Sequence, residues 1–167
     1  DMAFTGGLLH DIGQLLMHTA SPADYLRVLE LRTTEDVSLL DAERTVFGYS
    51  HTDAGKKLAQ AWKLPEEIVE AIVAHHEPDE LGSDIGNLIH VSEVLSHALD
   101  LGEQPNNRVG ELSDLACASL GLSWPKLSAR FAEIEARYGA EILAGTLVRR
   151  IDKRHLDVDA AHWQKNL

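Results

Sequence analysis

Apolar residues recur at helical spacing along almost the whole chain, and this pattern restricts it to a helical fold. Leu8, Leu9, Ile12, Leu15 and Leu16 follow the i, i+3, i+4, i+7 rule of an amphipathic helix. Ser21-Pro22 reads as a cap followed by a proline at the first helical position and opens a second helix. Leu39, Leu40, Val46 and Phe47 mark a third, which Gly48 stops. Ser50, with Asp53 three residues on, comes close to a capping box and places His51 in the first turn of a fourth. Leu64-Pro65 starts a fifth, with Ile68 and Ile72 on its buried stripe and His75-His76 at its end, before Pro78. A sixth runs from about Asp84 to Leu101, carrying Leu88, Ile89, Glu93 and Leu95.

Gly102 to Gly110, with Gln104-Pro105-Asn106-Asn107, is a polar boundary loop. Beyond it, Leu112 to Leu120 closes at Gly121, and Ser123-Trp124-Pro125 opens a longer helix carrying Leu127, Phe131, Ile134 and Tyr138. The last segment, Ile142 to Ile151, is apolar on one face. No internal repeat, low-complexity tract or strand pattern interrupts this series. The expected fold is therefore all-α: a helical bundle over residues 1–102 with a C-terminal helical extension over 103–167.

Bulk properties narrow the function. Of the 167 residues, 44% are hydrophobic and 25% charged, as in a globular domain. The net charge of −12 opposes direct contact with nucleic acid or an anionic membrane. The single cysteine, Cys117, excludes a disulfide framework, fits a reducing cytosol and lies in an apolar helical stretch that favours a buried, inert thiol. No apolar run approaches the ~20 residues that a membrane helix needs. Asp1-Met2-Ala3-Phe4 runs straight into the first apolar helix, so the chain is expected to begin in mid-protein.

The chemistry concentrates in histidines and carboxylates. His10-Asp11, His51, His75-His76 and Glu93 come from four predicted helices, as a metal site inside a helical bundle requires. Simpler readings stand beside this one. His10-Asp11 alone also fits a structural hydrogen bond, and His75-His76 fits a C-terminal cap favoured by the helix dipole. His90 and Glu93, one turn apart, fit a buried polar pair. His18, His97, His155 and His162 read as ordinary surface or core residues. For Glu43 the default is a solvated helix face, and the sharper option is a partner that orients a histidine. The chain has no phosphate-cradling glycine loop, no Cys-x-x-Cys and no Gly-x-Ser-x-Gly elbow. Trp62, Trp124 and Trp163 are too scattered for a base-stacking platform.

Gly7-Leu8-Leu9-His10-Asp11-Ile12-Gly13 resembles the signature of HD-superfamily phosphohydrolases. A second block is more specific. Glu43, Gly48-Tyr49-Ser50-His51-Thr52-Asp53-Ala54-Gly55, Leu58-Ala59, Trp62-Lys63-Leu64-Pro65, Ile68, Ile72 and His75-His76-Glu77-Pro78 resemble the HDOD domain, the HD-related output domain of bacterial signalling proteins. The likeness spans about residues 4 to 101, and Leu120-Gly121-Leu122-Ser123-Trp124 resembles the segment that commonly follows.

The resemblance implies an all-α fold, a further helical half upstream and a cytoplasmic regulatory role in signal transduction, acting on a protein partner or a fused domain. By position it implies metal ligands at His10, Asp11, His51, His75 or His76, and at Glu93, which stands where the superfamily has Asp. The superfamily's first His, upstream of the His-Asp pair, has no counterpart. The Gly-Tyr-Pro element of the cyclic-di-GMP-hydrolysing relatives is absent after His76-Glu77. The implied cofactor is a divalent transition metal, Fe or Mn, weakly or partly bound, with no organic cofactor. An active phosphohydrolase on a phosphomonoester or nucleotide is the alternative.

The charge yields a direct test. The protein is expected to leave duplex DNA and RNA unshifted at physiological salt; a tight, salt-sensitive mobility shift would contradict that expectation.

Overall fold

Small residues and helix caps decide where this chain turns. In a computed structural model of the protein, residues 2–78, 83–98 and 109–138 are described, and among them all regular structure is helical. The helices are α1 (Met2–Leu9), α2 (Ile12–Ala20), α3 (Pro22–Thr34), α4 (Leu39–Phe47), α5 (His51–Ala61), α6 (Glu66–Ala74), α7 (Asp84–Ala98), α8 (Asp114–Ser119) and α9 (Trp124–Tyr138). Trp163, His155, His162 and the segment 142–151 lie outside the described residues, as do 99–108. Among the described residues no helix is long and apolar enough to cross a membrane.

The caps follow their expected chemistry. Ser38 Oγ accepts from the Asp41 amide, and Ser50 and Asp53 form a complete reciprocal capping box. Pro22 occupies the first turn of α3, and Gly48 ends α4 in the left-handed region at φ 79°.

One expectation fails. The apolar pattern from Leu8 to Leu16 reads as a single helix, but the chain breaks into α1 and α2 at His10-Asp11. The His10 amide still donates to the Gly6 carbonyl at 2.8 Å, and Asp11 then takes φ −98°, ψ 11°, outside the helical well. The two halves answer to different neighbours, since α1 packs on α6 and α2 on α5 and α3. Periodicity is blind to such a break when neither glycine nor proline marks it. The expected core face of this region is also corrected. Leu8 and Leu15 are 69% and 61% exposed, while Gly13 and Met17 are buried.

The chain divides into two compact units, residues 1–90 and 91–167. In the first, Ala59, Ile68, Val69 and Ile72 form a core against which Leu9, Ile12, Leu64 and Val73 pack. Met17, Tyr25 and Ala54 form another with Leu29 and Phe47. In the second unit, Val91, Ala116, Cys117 and Leu127 are buried together with Leu95, Leu112, Leu120 and Leu122 around them. Burial, and then the nearby Asp114 carboxylate, push the Cys117 thiol above its ordinary pKa, consistent with an inert side chain.

The tightest contact in the first unit is between backbones. A methyl group added at Gly13 would fall 1.9 Å from the His51 carbonyl oxygen and 2.8 Å from the Gly55 nitrogen. The α2–α5 crossing therefore tolerates no side chain at this point. Gly13→Ala is expected to destabilise the fold by at least ~1–3 kcal/mol, because rigid backbone must move apart. Gly7→Ala is the matched control. Its methyl would meet only Ile89 Cδ1 at 3.8 Å, and it should be neutral or stabilising by up to ~1 kcal/mol. Urea unfolding of the two variants checks this, and equal midpoints would contradict it.

Candidate metal centre

The α2–α5 crossing brings the Asp11 turn onto the first residue of α5. Asp11 Oδ1 lies 3.4 Å from His51 Nε2 and 3.6 Å from His75 Nε2. His51 Nε2 lies 3.4 Å from His75 Nε2 and 3.1 Å from His76 Nε2. These four residues each aim one donor atom at a common point. None of them sits in the middle of a helix. Asp11 is in the α1–α2 turn, His51 opens α5, and His75 and His76 lie at and beyond the end of α6. Adjacent residues within a helix point apart. The bend after Ala74 allows both imidazoles to reach the same place, with ring centroids 4.1 Å apart.

Hydrogen bonds on the outer nitrogens determine what the inner ones offer. His75 Nδ1 donates to the Ile72 carbonyl at 2.9 Å, and His10 Nδ1 donates to the Gly7 carbonyl at 2.8 Å. Carbonyls only accept, so the proton of each ring is on Nδ1 and the lone pair is on Nε2. His51 follows the same pattern through Glu43. That carboxylate is wholly buried, and its Oε2 accepts both the His51 amide, at 2.8 Å, and His51 Nδ1, at 2.7 Å. The solvated-face reading of Glu43 is thus overturned, and the orienting role is the one observed. His90 contributes from α7 by donating Nδ1–H to the His75 carbonyl at 2.7 Å, which fixes the backbone that carries the ligands.

Asp11 Oδ1 therefore faces the lone pairs of His51 Nε2 and His75 Nε2, and His76 Nε2 lies within hydrogen-bond reach of His51 Nε2 at 3.1 Å. Asp11 Oδ1 is buried and accepts no hydrogen bond. Desolvation, together with the adjacent His75 and His51 rings, pushes His76 down to about 2. Burial also lowers His10, with the Asp11 carboxylate opposing. Imidazole lone pairs around a carboxylate oxygen that is shut off from water favour a positive centre. One proton can bridge only one pair of these atoms, whereas a divalent cation serves all four.

The spacing fits such an ion. With metal–ligand bonds of ~2.0–2.1 Å, tetrahedral donors lie ~3.3–3.4 Å apart and neighbouring octahedral donors ~2.9–3.0 Å apart. Four of the six separations, at 3.1 to 3.6 Å, lie on or close to this scale, and all six are within 4.8 Å.

Of the residues expected at the site, Asp11, His51, His75 and His76 converge. Both members of the His75-His76 pair take part, where the sequence left the choice open. His10 stands beside this group, with its Nε2 turned to the other Asp11 oxygen at 3.6 Å and its ring edge-on to His75. Glu93 lies on α7 in the second unit. His18 is exposed and stacks on Tyr25, as expected for a residue outside the site. The support from His90 went unread, because a backbone carbonyl as partner leaves no trace in side-chain spacing.

Residues 1–78 match the family model of the HDOD domain. This segment belongs to the HDOD family. Local likeness to larger proteins accompanies the HDOD match. An uncharacterized protein of Treponema pallidum is 29% identical over 70 residues, 42% of this chain and 14% of that protein. The Ribonuclease Y of Thermus thermophilus is 28% identical over 136 residues, 78% of this chain and 18% of that protein. The beta-ketoacyl-[acyl-carrier-protein] synthase FabY of Pseudomonas aeruginosa shares 57% identity over a short stretch of 35 residues, 21% of this chain and 6% of that one. The chain thus spans less than a fifth of the length of these relatives. No solved structure gives a significant match to it.

The HDOD pocket carries a pH signature in the metal-free state. His76 titrates lower in the folded protein than its ordinary 6.5, so the unfolded chain takes up the proton first. The stability tied to neutral His76 is present above pH 6.5 and is lost as pH falls from there towards about 2. Chelator-treated protein is therefore expected to melt at steadily lower temperature from pH 7 to pH 4, with a shallower fall in His76→Gln. A melting temperature higher at pH 5 than at pH 7 would contradict the assignment.

Proposed function

We propose that this chain is an output module of bacterial signal transduction. In this reading the HDOD segment holds a divalent transition metal, Fe or Mn, between Asp11, His51, His75 and His76. The module acts on a protein partner or a fused signalling domain through helix-packing contacts. When bound, the ion supplies positive charge to a pocket otherwise built of acceptors, and so ties α2, α5 and the end of α6 to one point. The observation that carries this reading is the buried Asp11 Oδ1, which accepts no hydrogen bond and faces two imidazole nitrogens. It lies within the segment covered by the HDOD family model.

The number of donors suits one ion held by the protein. Four donors converge here, and imidazole with one carboxylate suits several first-row ions. Charge supports a protein partner, because a surface at −12 repels phosphate backbones and anionic lipid.

Metal analysis and turnover together test the proposal. Protein purified without chelator is expected to carry Fe or Mn below one equivalent, and Asp11→Ala to lose it. Phosphomonoester, nucleotide and RNA substrates with added Mn²⁺ or Fe²⁺ should stay at background rates in both proteins. Robust hydrolysis abolished by Asp11→Ala would replace the regulatory reading with a phosphohydrolase. Absence of bound metal in every divalent ion tested would remove the metal from the proposal.

A further inference from the structure

Glu43 is buried more deeply than a solvated helix side chain ever is, and it lies on a ligand's far side. Its side chain is 0% exposed. Oε2 takes two hydrogens from one residue, the His51 amide at 2.8 Å and His51 Nδ1 at 2.7 Å, while Oε1 is buried and accepts none. The His51 ring is its partner, with Nδ1 at 2.7 Å. A carboxylate left this way is costly unless positive charge lies close by. The same ring leads to one such place, since its far nitrogen, His51 Nε2, lies beside Asp11, His75 and His76.

We infer that Glu43 is a positioning residue for the metal pocket, keeping the His51 proton on Nδ1 and supplying the second of two carboxylates that balance a divalent ion. This rests on the metal reading above. The charge count is direct. Asp11 and Glu43 carry one negative charge each and ligating imidazoles add none, so a dication at the cluster meets one carboxylate as a ligand and a second behind His51. A carboxylate behind a ligating imidazole fixes ring orientation and raises the basicity of the ligating nitrogen. The helix start reinforces this. Ser50 caps α5 with Asp53, so the His51 amide is held at N1, where its N–H has no partner within the helix and is given to Glu43.

Glu43→Gln separates charge from shape, since its amide oxygen can still accept from His51. In the full-length, metal-stripped protein it is expected to retain the native circular dichroism spectrum and to bind Mn²⁺ ~10–100-fold more weakly, read by electron paramagnetic resonance titration. The Co²⁺ absorption spectrum should shift as well, because the donor strength of His51 changes. Asp11→Ala serves as the reference for a lost ligand. Wild type that binds Mn²⁺, Asp11→Ala that does not, and Glu43→Gln that binds as tightly as wild type would overturn this inference and leave the metal reading intact. Wild type that binds none of Mn²⁺, Fe²⁺ or Co²⁺ would overturn both.

A measurement on wild type alone stands if the variant fails to fold. Long-range proton–nitrogen spectra of the metal-free protein at pH 8 are expected to show His51 with its proton on Nδ1. A proton on Nε2 would overturn the inference.

Discussion

Everything at the site depends on two backbones touching. Gly13 lies against the His51 carbonyl and the Gly55 amide with no room for a methyl group between them. Helix axes usually stay apart by the width of their side chains. Here the missing side chain lets the N-terminal end of α2 press on the first turn of α5. Asp11 precedes α2 by one residue and His51 is the first of α5, so this contact sets their separation. Gly55 repeats the device one turn along, where a methyl would fall 2.7 Å from Ile72 Cγ2 of α6. The same helix α5 is thus held close to both of the segments that complete the cluster.

The cluster is a polar island in an apolar unit. Glu43, Ser50, His51, His75 and His90 are all buried, among Ile68, Ile72 and other aliphatic side chains. Such groups are tolerated when their hydrogen bonds are made, and most are. Ser50 bonds Thr52 and Asp53, His51 bonds Glu43, His75 bonds the Ile72 carbonyl, and His90 bonds the His75 carbonyl. What stands out is one-sided satisfaction, with the outer nitrogens bonded and the inner ones aimed at an anion. A core arranged only for stability would place a donor there.

Much of this was legible beforehand. The helix starts at Ser21-Pro22, Ser50 and Leu64-Pro65 and the stop at Gly48 appear in the structure, because capping is decided within four or five residues. The candidate ligands were legible too, because histidine and aspartate side chains announce their chemistry by type. Less legible was the split between α1 and α2. The same apolar spacing continues through His10-Asp11 although the helix does not. Leu8 and Leu15, apolar and correctly spaced, ended exposed because the close packing surface of α2 is a glycine, which carries no hydropathic signal at all.

The sequence by itself determined that the chain is helical, where most of its helices begin, and which side chains can bind a cation. These are properties of single residues and of short-range spacing. Only the tertiary structure decided that both His75 and His76 join Asp11 and His51 in one cluster, that Glu43 is buried behind His51, and that His90 holds the His75 carbonyl. Each of those relations joins helix ends far apart in the chain. Their geometry is set by how closely two backbones approach, and no periodicity along one helix encodes that distance.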